Sequence, residues 1–199
     1  AADAKAAEEV KSELNEIIGL SEVKDYVLSL EQNYIIQRLR EARGMKADVP
    51  TMHMIFTGNP GTGKTTIARL VSRYLKAMGV LSGGQLIEVT RADLVGKYVG
   101  HTAPLTQQVI RSALGGVLFI DEAYSLYRGA DDSFGLEAID TIVKGMEDHR
   151  EDLIVILAGY TKEMEEFLTA NSGLRSRFPN IIEFPDYTAE ELLAITKLT

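Results

Sequence analysis

Met52-His53-Met54-Ile55-Phe56-Thr57-Gly58-Asn59-Pro60-Gly61-Thr62-Gly63-Lys64-Thr65-Thr66 joins an apolar run to a glycine-rich turn of pattern G-x-x-x-x-G-K-T. Beyond it Ile67, Leu70, Val71, Tyr74, Leu75 and Met78 recur at helical spacing until Gly79 ends the pattern. A strand over Met52–Phe56, a tight loop and a helix over Lys64–Met78 therefore follow one another. That context gives the motif its meaning, because glycines let successive backbone N–H groups wrap a phosphate chain and the helix N-terminus adds favourable potential. Gly58, Asn59, Pro60, Gly61, Thr62 and Gly63 form the cradle, and Lys64 reaches the outer phosphates. The Thr65 hydroxyl is a ligand for Mg²⁺, with Thr66 beside it. The expected ligand is Mg·ATP.

Outward from this stretch, short apolar runs recur at Leu86–Val89, Val117–Ile120, Leu153–Ala158 and Ile181–Phe184, separated by helical patterns. Five strands alternating with helices predict an α/β fold with a parallel, doubly wound sheet. Gly116-Val117-Leu118-Phe119-Ile120-Asp121-Glu122 ends in adjacent carboxylates. Asp121 at the strand end is placed to hold Mg²⁺ through water, and Glu122 to orient and deprotonate an attacking water. Hydrolysis, rather than binding alone, follows from Glu122.

The 199 residues suit one α/β domain, and 45% hydrophobic with 25% charged residues is an ordinary globular composition. No apolar run approaches the length of a membrane span. Ala1-Ala2-Asp3-Ala4-Lys5 has no apolar segment behind a basic start, so no secretory signal is expected and the cytoplasm is the expected compartment. With no cysteine, disulfides, thiolate metal sites and a thiol nucleophile are excluded. A net charge of −8 argues against a nucleic-acid partner. Ser21 caps a second helix in which Val23, Tyr26, Val27, Leu30 and Tyr34 make a packing face until Gly44. His53 reads as a packed strand residue, His101 as a loop-to-helix junction and His149 as part of a charged turn. No metal site beyond Mg²⁺ is expected.

Asp121-Glu122-Ala123-Tyr124 and Gly173-Leu174-Arg175-Ser176-Arg177-Phe178, taken with the phosphate loop, resemble the AAA+ superfamily. Leu94-Val95-Gly96-Lys97-Tyr98-Val99-Gly100-His101-Thr102-Ala103, Leu157-Ala158-Gly159-Tyr160 and Phe184-Pro185-Asp186-Tyr187 resemble the family that contains red-type Rubisco activase and stage V sporulation protein K. The similarity runs from about Leu14 to the C-terminus. It implies a sheet of order 5-1-4-3-2, a homohexamer, and ATP bound between subunits. It also implies that Ile17, Ile18 and Gly19 close over adenine, the alternative being a simple helix-to-helix turn. Arg177, with Arg175 as helper, matches the finger that reaches a neighbour's γ-phosphate. The alternatives are the reverse order, or a structural ion pair for one of the two.

Lys97, Tyr98 and Val99 match the aromatic pore loop of protein-threading rings. Flanking Gly96 and Gly100 allow motion, and a Tyr98 ring grips a client peptide without reading its sequence; the alternative has Tyr98 folded back on its own domain. Tyr127–Phe134, with Asp131, Asp132 and Glu137 nearby, is expected as a second pore-facing or plain surface loop. Tyr160 stands where many relatives carry a small polar sensor of the γ-phosphate. The implied organisation is an N-terminal helix over 1–16, the large ATPase subdomain over 17–187, and the start of a helical lid over 188–199 that is otherwise absent from this chain. The leading function is an ATP-hydrolysing ring subunit that remodels a client protein. The alternatives are a nucleotide-dependent switch or scaffold and, last, a DNA-acting loader.

Overall fold

The computed structural model describes Lys5, Glu8, Glu9, Ser12 and residues 21–45, 52–59, 63–150, 152–178 and 180–184, apart from the side chains of residues 21–24, 27, 30 and 31. The first four are helical and exposed. The elements that follow are α1 (Ser21–Ala42), β1 (Met54–Thr57), α2 (Lys64–Ala77), β2 (Leu86–Val89), α3 (Arg91–Leu94) and α4 (Thr102–Ala113). Then come β3 (Val117–Ile120), a 3₁₀ turn (Ala123–Leu126), α5 (Ser133–Asp148), β4 (Ile154–Gly159), α6 (Thr161–Ala170), α7 (Ser172–Arg177) and β5 (Asn180–Glu183). The strands expected from sequence all form: β2 and β3 have the expected ends, and those of β1, β4 and β5 are shifted by one or two residues. Residues 188–199, assigned to a lid, lie outside the described residues.

The sheet order is β2-β3-β4-β1-β5 and every pairing is parallel. Side chains alternate across it, as the two-residue strand period requires. Met54, Phe56, Val117, Phe119, Ile154, Ile156 and Ala158 face one way, onto Ile67, Leu70, Val71, Tyr74 and Leu75 of α2. Ile55, Leu118, Ile120, Val155 and Leu157 face the other way, onto α4, α5 and α6 through Ile110, Ile139, Ile142, Met164 and Phe167. Burial on both faces explains why these strands read as unbroken apolar runs rather than alternating ones. Parallel pairing also gathers every strand's C-terminal end on one edge, where the functional loops leave. In helix α1 Tyr26 packs on the core as expected, Ile35, Ile36 and Leu39 beside the expected face are exposed, and the side chains of Val23, Val27 and Leu30 lie outside the described residues.

His53 is buried as expected, its Nδ1 accepting the Val155 N–H at 3.0 Å and its ring 5.7 Å from that of Phe178. Burial lowers its pKa from the ordinary 6.5 to about 4. The neutral ring is favoured only in the fold, so its contribution is complete above pH 6.5 and is lost as pH falls towards 4. About 3 kcal/mol is at stake at one pKa unit per ~1.4 kcal/mol. Denaturant unfolding at pH 7, 5.5 and 4 is expected to show a loss that His53→Asn, which keeps an acceptor for Val155, makes shallower. A pH slope that this substitution leaves unchanged contradicts the assignment.

Candidate functional site

The turn after β1 begins in Gly58, whose φ of 151° is open to glycine, and whose N–H donates to Gly159 O at 3.1 Å. That bond ties the phosphate turn to the end of β4. Gly63, at φ 83° in the left-handed region, then turns the chain into α2, and its carbonyl accepts the Ile67 N–H. Lys64 Nζ donates to Gly58 O at 2.7 Å, bridging the two ends of the turn, and lies 5.9 Å from the centre of the Tyr160 ring. Partial burial lowers the Lys64 pKa, against the opposing fields of Asp121 and Glu122. A half-desolvated ammonium facing two carboxylates is poised to exchange its carbonyl partner for a phosphate oxygen. Gly58, Gly63, Lys64, Thr65 and Thr66 are thus placed around one turn. Pro60, Gly61 and Thr62 lie outside the described residues, as do Ile17, Ile18 and Gly19.

Asp121 continues the sheet by one bond, its N–H donating to Val89 O at 2.9 Å, and its Oδ1 accepts the Glu122 N–H at 2.9 Å. Glu122 then turns left-handed at φ 50°, ψ 46°, the one non-glycine among the described residues with positive φ. Such backbone costs of order 1–3 kcal/mol in a non-glycine residue and tends to occur at functional sites. Here it bends the chain sharply at the second of two adjacent carboxylates. Ser125 holds the turn, its N–H and Oγ–H both donating to Glu122 O at 2.9 and 2.7 Å. Thr65 and Asp121 supply oxygens that suit Mg²⁺, which keeps several waters and takes phosphate oxygens. Among the described residues no group of three or more His, Cys, Asp or Glu could hold an ion by itself. A phosphate-completed ion is the kind this site fits.

At the end of β4, Tyr160 caps α6 and its ring stacks on Tyr124, with centroids 6.0 Å apart and planes at 29°. A Cβ on Gly159 would lie 2.9 Å from Tyr124 and 2.8 Å from Met164, so glycine is what lets the ring in. Burial raises the Tyr124 pKa, with Glu122 next in effect. The pair is a flat wall beside Lys64 that the sequence did not disclose.

Arg175 and Arg177 stand elsewhere. They end α7, just before Asn180, which pairs with Met54 at the start of β1, whereas the phosphate turn leaves from the end of β1. Arg175 Nη1 donates to Phe178 O at 2.7 Å. Arg177 donates to Gly173 O at 2.9 Å and pairs with Glu147 at 2.8 Å, on exposed side chains. The two arginines therefore do not join Lys64 and Glu122 within one chain.

Lys97, Tyr98 and Val99 lie between α3 and α4. The base of their loop is fixed by Gly96 N–H donating to Thr102 Oγ1 at 3.0 Å and Thr106 Oγ1–H to Leu94 O at 2.8 Å. The tip is free: Tyr98 is 67% and Val99 87% exposed, and Tyr98 meets His101 edge-on at 5.5 Å. Tyr98 does not fold back into the core, and His101 caps α4 as expected. The segment Tyr127–Phe134 is a surface loop up to Asp132, from which α5 starts. Asp132 is a structural cap that accepts the Gly135 N–H at 3.1 Å and pairs with Arg91 at 2.6 Å; only Asp131 faces solvent as a loop acid.

A parallel sheet of this order, with a glycine-rich phosphate turn after β1 and an Asp-Glu pair after β3, defines a P-loop nucleoside triphosphatase fold. Residues 54–186 match the ATPase family associated with various cellular activities (AAA), and the chain belongs to that family. It is 50% identical to Stage V sporulation protein K of Bacillus subtilis (strain 168), over 95% of this chain and 59% of that protein. It is also 50% identical to Protein CbbX of Cereibacter sphaeroides, over 97% and 63%. Ribulose bisphosphate carboxylase/oxygenase activase, chloroplastic, of Cyanidioschyzon merolae (strain NIES-3377 / 10D) is 50% identical over 96% and 66%. The chain thus spans about three-fifths of the length of these relatives. The fold is also that of the FIGL-1 AAA domain crystallised in complex with ADP, with a TM-score of 0.54 at 24% identity, covering 76% of this chain and 49% of that one. No helix among the described residues is long and apolar enough to cross a membrane.

Proposed function

We propose that the chain hydrolyses Mg·ATP at a site shared between neighbouring copies in a homohexamer, and that the cycle moves Tyr98 loops against a segment of a client protein. The observation that carries this is the separation within one chain: Lys64, Asp121 and Glu122 gather at the C-terminal edge of the sheet, while Arg175 and Arg177 lie by its N-terminal edge. An arginine so placed reaches a γ-phosphate only in another copy.

In this reading the N–H groups of Asn59, Gly61, Thr62 and Gly63 cradle the phosphates, in a turn that also holds Pro60 and that Gly58 anchors through its own bond to Gly159 O. Lys64 neutralises the β and γ oxygens, and Thr65 and Asp121 hold Mg²⁺, which supplies charge neutralisation when bound. Glu122 takes a proton from the attacking water. Arg177, freed from Glu147, stabilises charge on the neighbour's γ-phosphate with Arg175 behind it. Ile17, Ile18 and Gly19 cover the adenine. Tyr160, backed by Tyr124 and close to Lys64, takes the position of the γ-phosphate sensor with a phenol where relatives use a smaller polar group. Lys97 and Val99 flank the gripping ring of Tyr98. A cytoplasmic setting fits a chain without cysteine, whose client is left open between a Rubisco-like and a sporulation-type partner.

The test is steady-state ATP turnover of the full-length protein against its concentration, with Tyr98→Ala alongside in a peptide-unfolding assay. Specific activity is expected to rise with concentration to a plateau, and Tyr98→Ala to keep turnover while losing unfolding. A specific activity independent of concentration contradicts the shared site. Wild type that binds ATP without turnover makes the chain a nucleotide switch instead.

A further inference from the structure

One charged cluster in the interior has no part in the chemistry above. Arg91 opens α3 directly after β2, beneath a reciprocal cap in which the Thr90 and Asp93 side chains and backbones bond each other. Its guanidinium donates to three oxygens: Ser125 O at 2.8 Å, Asp132 Oδ2 at 2.6 Å and Asp132 Oδ1 at 2.9 Å. The side chains are only 16% and 11% exposed. The hydrogen bond from Arg91 is the main reason the Asp132 carboxyl sits near a pKa of about 2. Gly135 is the close approach that permits this, since a Cβ there would meet Leu126 O and lie 2.9 Å from Arg91 Nη1.

The position of Ser125 turns this pair from a surface staple into something more. Ser125 holds Glu122 O with both its N–H and its hydroxyl, and Arg91 holds the Ser125 carbonyl from the far side. Arg91 thereby grips the 3₁₀ turn that follows a residue already in left-handed backbone. A strained residue keeps its conformation only where its surroundings overdetermine it. Three of the groups that do so here, α3, the 3₁₀ turn and the cap of α5, meet at one guanidinium, whose planar fork a lysine cannot reproduce.

We propose that Arg91 is a positioning residue for hydrolysis, fixing the direction of the Glu122 carboxylate through Ser125 without touching nucleotide. The inference rests on the reading of Glu122 as the group that activates water. Displacing a reacting group by about 1 Å costs on the order of a hundredfold in rate, while phosphate binding through Lys64 is untouched.

The experiment compares Arg91→Met, Asp132→Asn and the double variant in the full-length protein, measuring kcat, the affinity for the slowly hydrolysed analogue ATPγS, and Tm. Arg91→Met is expected to lower kcat by about ten- to a hundredfold, with analogue affinity within about twofold. It also lowers Tm, because Asp132 is left buried without its partner. The double variant has no unpaired carboxylate and keeps an acceptor for the Gly135 N–H, so Tm recovers. The Ser125 carbonyl still lacks its donor, so kcat does not. Recovery of kcat together with Tm makes the cluster merely structural and overturns the proposal, as does an unchanged kcat in Arg91→Met. Where the single variant does not fold, kcat of the double variant decides between the two roles. Wild type without turnover removes the parent reading; active wild type beside an equally active Arg91→Met removes only this one.

Discussion

Glu122→Gln is expected to lower ATP turnover by about 10²–10⁴-fold, the usual contribution of a positioned general base, while ATP affinity stays within a few-fold. The amide has the size and shape of the carboxylate but cannot take a proton from water. Its backbone keeps the same demands, because φ 50° is fixed by the Ser125 bonds to Glu122 O and not by the side chain. Asp121 also retains its place through the bond from its N–H to Val89 O, so the proposed cation site is expected to survive. Single-turnover hydrolysis and equilibrium binding of ATP, measured on the same preparation, separate the two effects. Turnover within threefold of wild type removes Glu122 as the base and leaves water activation to another group.

Arg177→Ala is expected to cost a comparable factor, about 10³–10⁵-fold, as removal of an arginine finger does in phosphoryl transfer. In the isolated chain the residue only spans Glu147 and Gly173 O, on exposed side chains. Pairs of that kind contribute little to stability, so Tm should barely move. The informative mixture combines Arg177→Ala with Glu122→Gln subunits. Each is inactive alone, yet an interface with the alanine subunit supplying Glu122 and its neighbour supplying Arg177 is intact, and activity returns on mixing. A mixture as inactive as its components places Arg177 outside the neighbour's site. A normal rate for Arg177→Ala alone shifts the role to Arg175.

Much of the framework is legible from the chain because its signals are local. The strands β1, β3 and β4 are buried on both faces, so they are unbroken apolar runs, and the phosphate turn lies within eight consecutive residues. The Asp121-Glu122 pair is equally local. What escapes is tertiary. Arg91 and Asp132 are 41 positions apart and Arg177 and Glu147 are 30, so nothing in spacing marks them as partners. Asp132, one acid of several in a loop, gives no sign that it caps a helix and anchors an arginine. The Thr90–Asp93 cap is a local signature of a helix start, and it draws attention to Arg91 one position after Thr90. Tyr160 is visible as an unusual residue at a strand end, but its stacking on Tyr124 depends on a glycine that only packing explains. The ends of β1, β4 and β5 differ from the apolar runs because hydrogen bonding, not hydropathy, sets where a strand stops.

If the loop carrying Tyr98 pulls on a client as proposed, its tethering sets a limit on the stroke. Between the pinned Gly96 and Thr102 lie only five residues, and an extended chain gains at most about 3.3–3.6 Å per residue. Tethered at both ends, the ring can swing through roughly half that contour, about 8 Å. A pull longer than two or three residues of an extended polypeptide is therefore beyond the loop's own flexing. In that proposal any longer advance has to be travelled by the whole domain, which carries the loop and its short swing along with it.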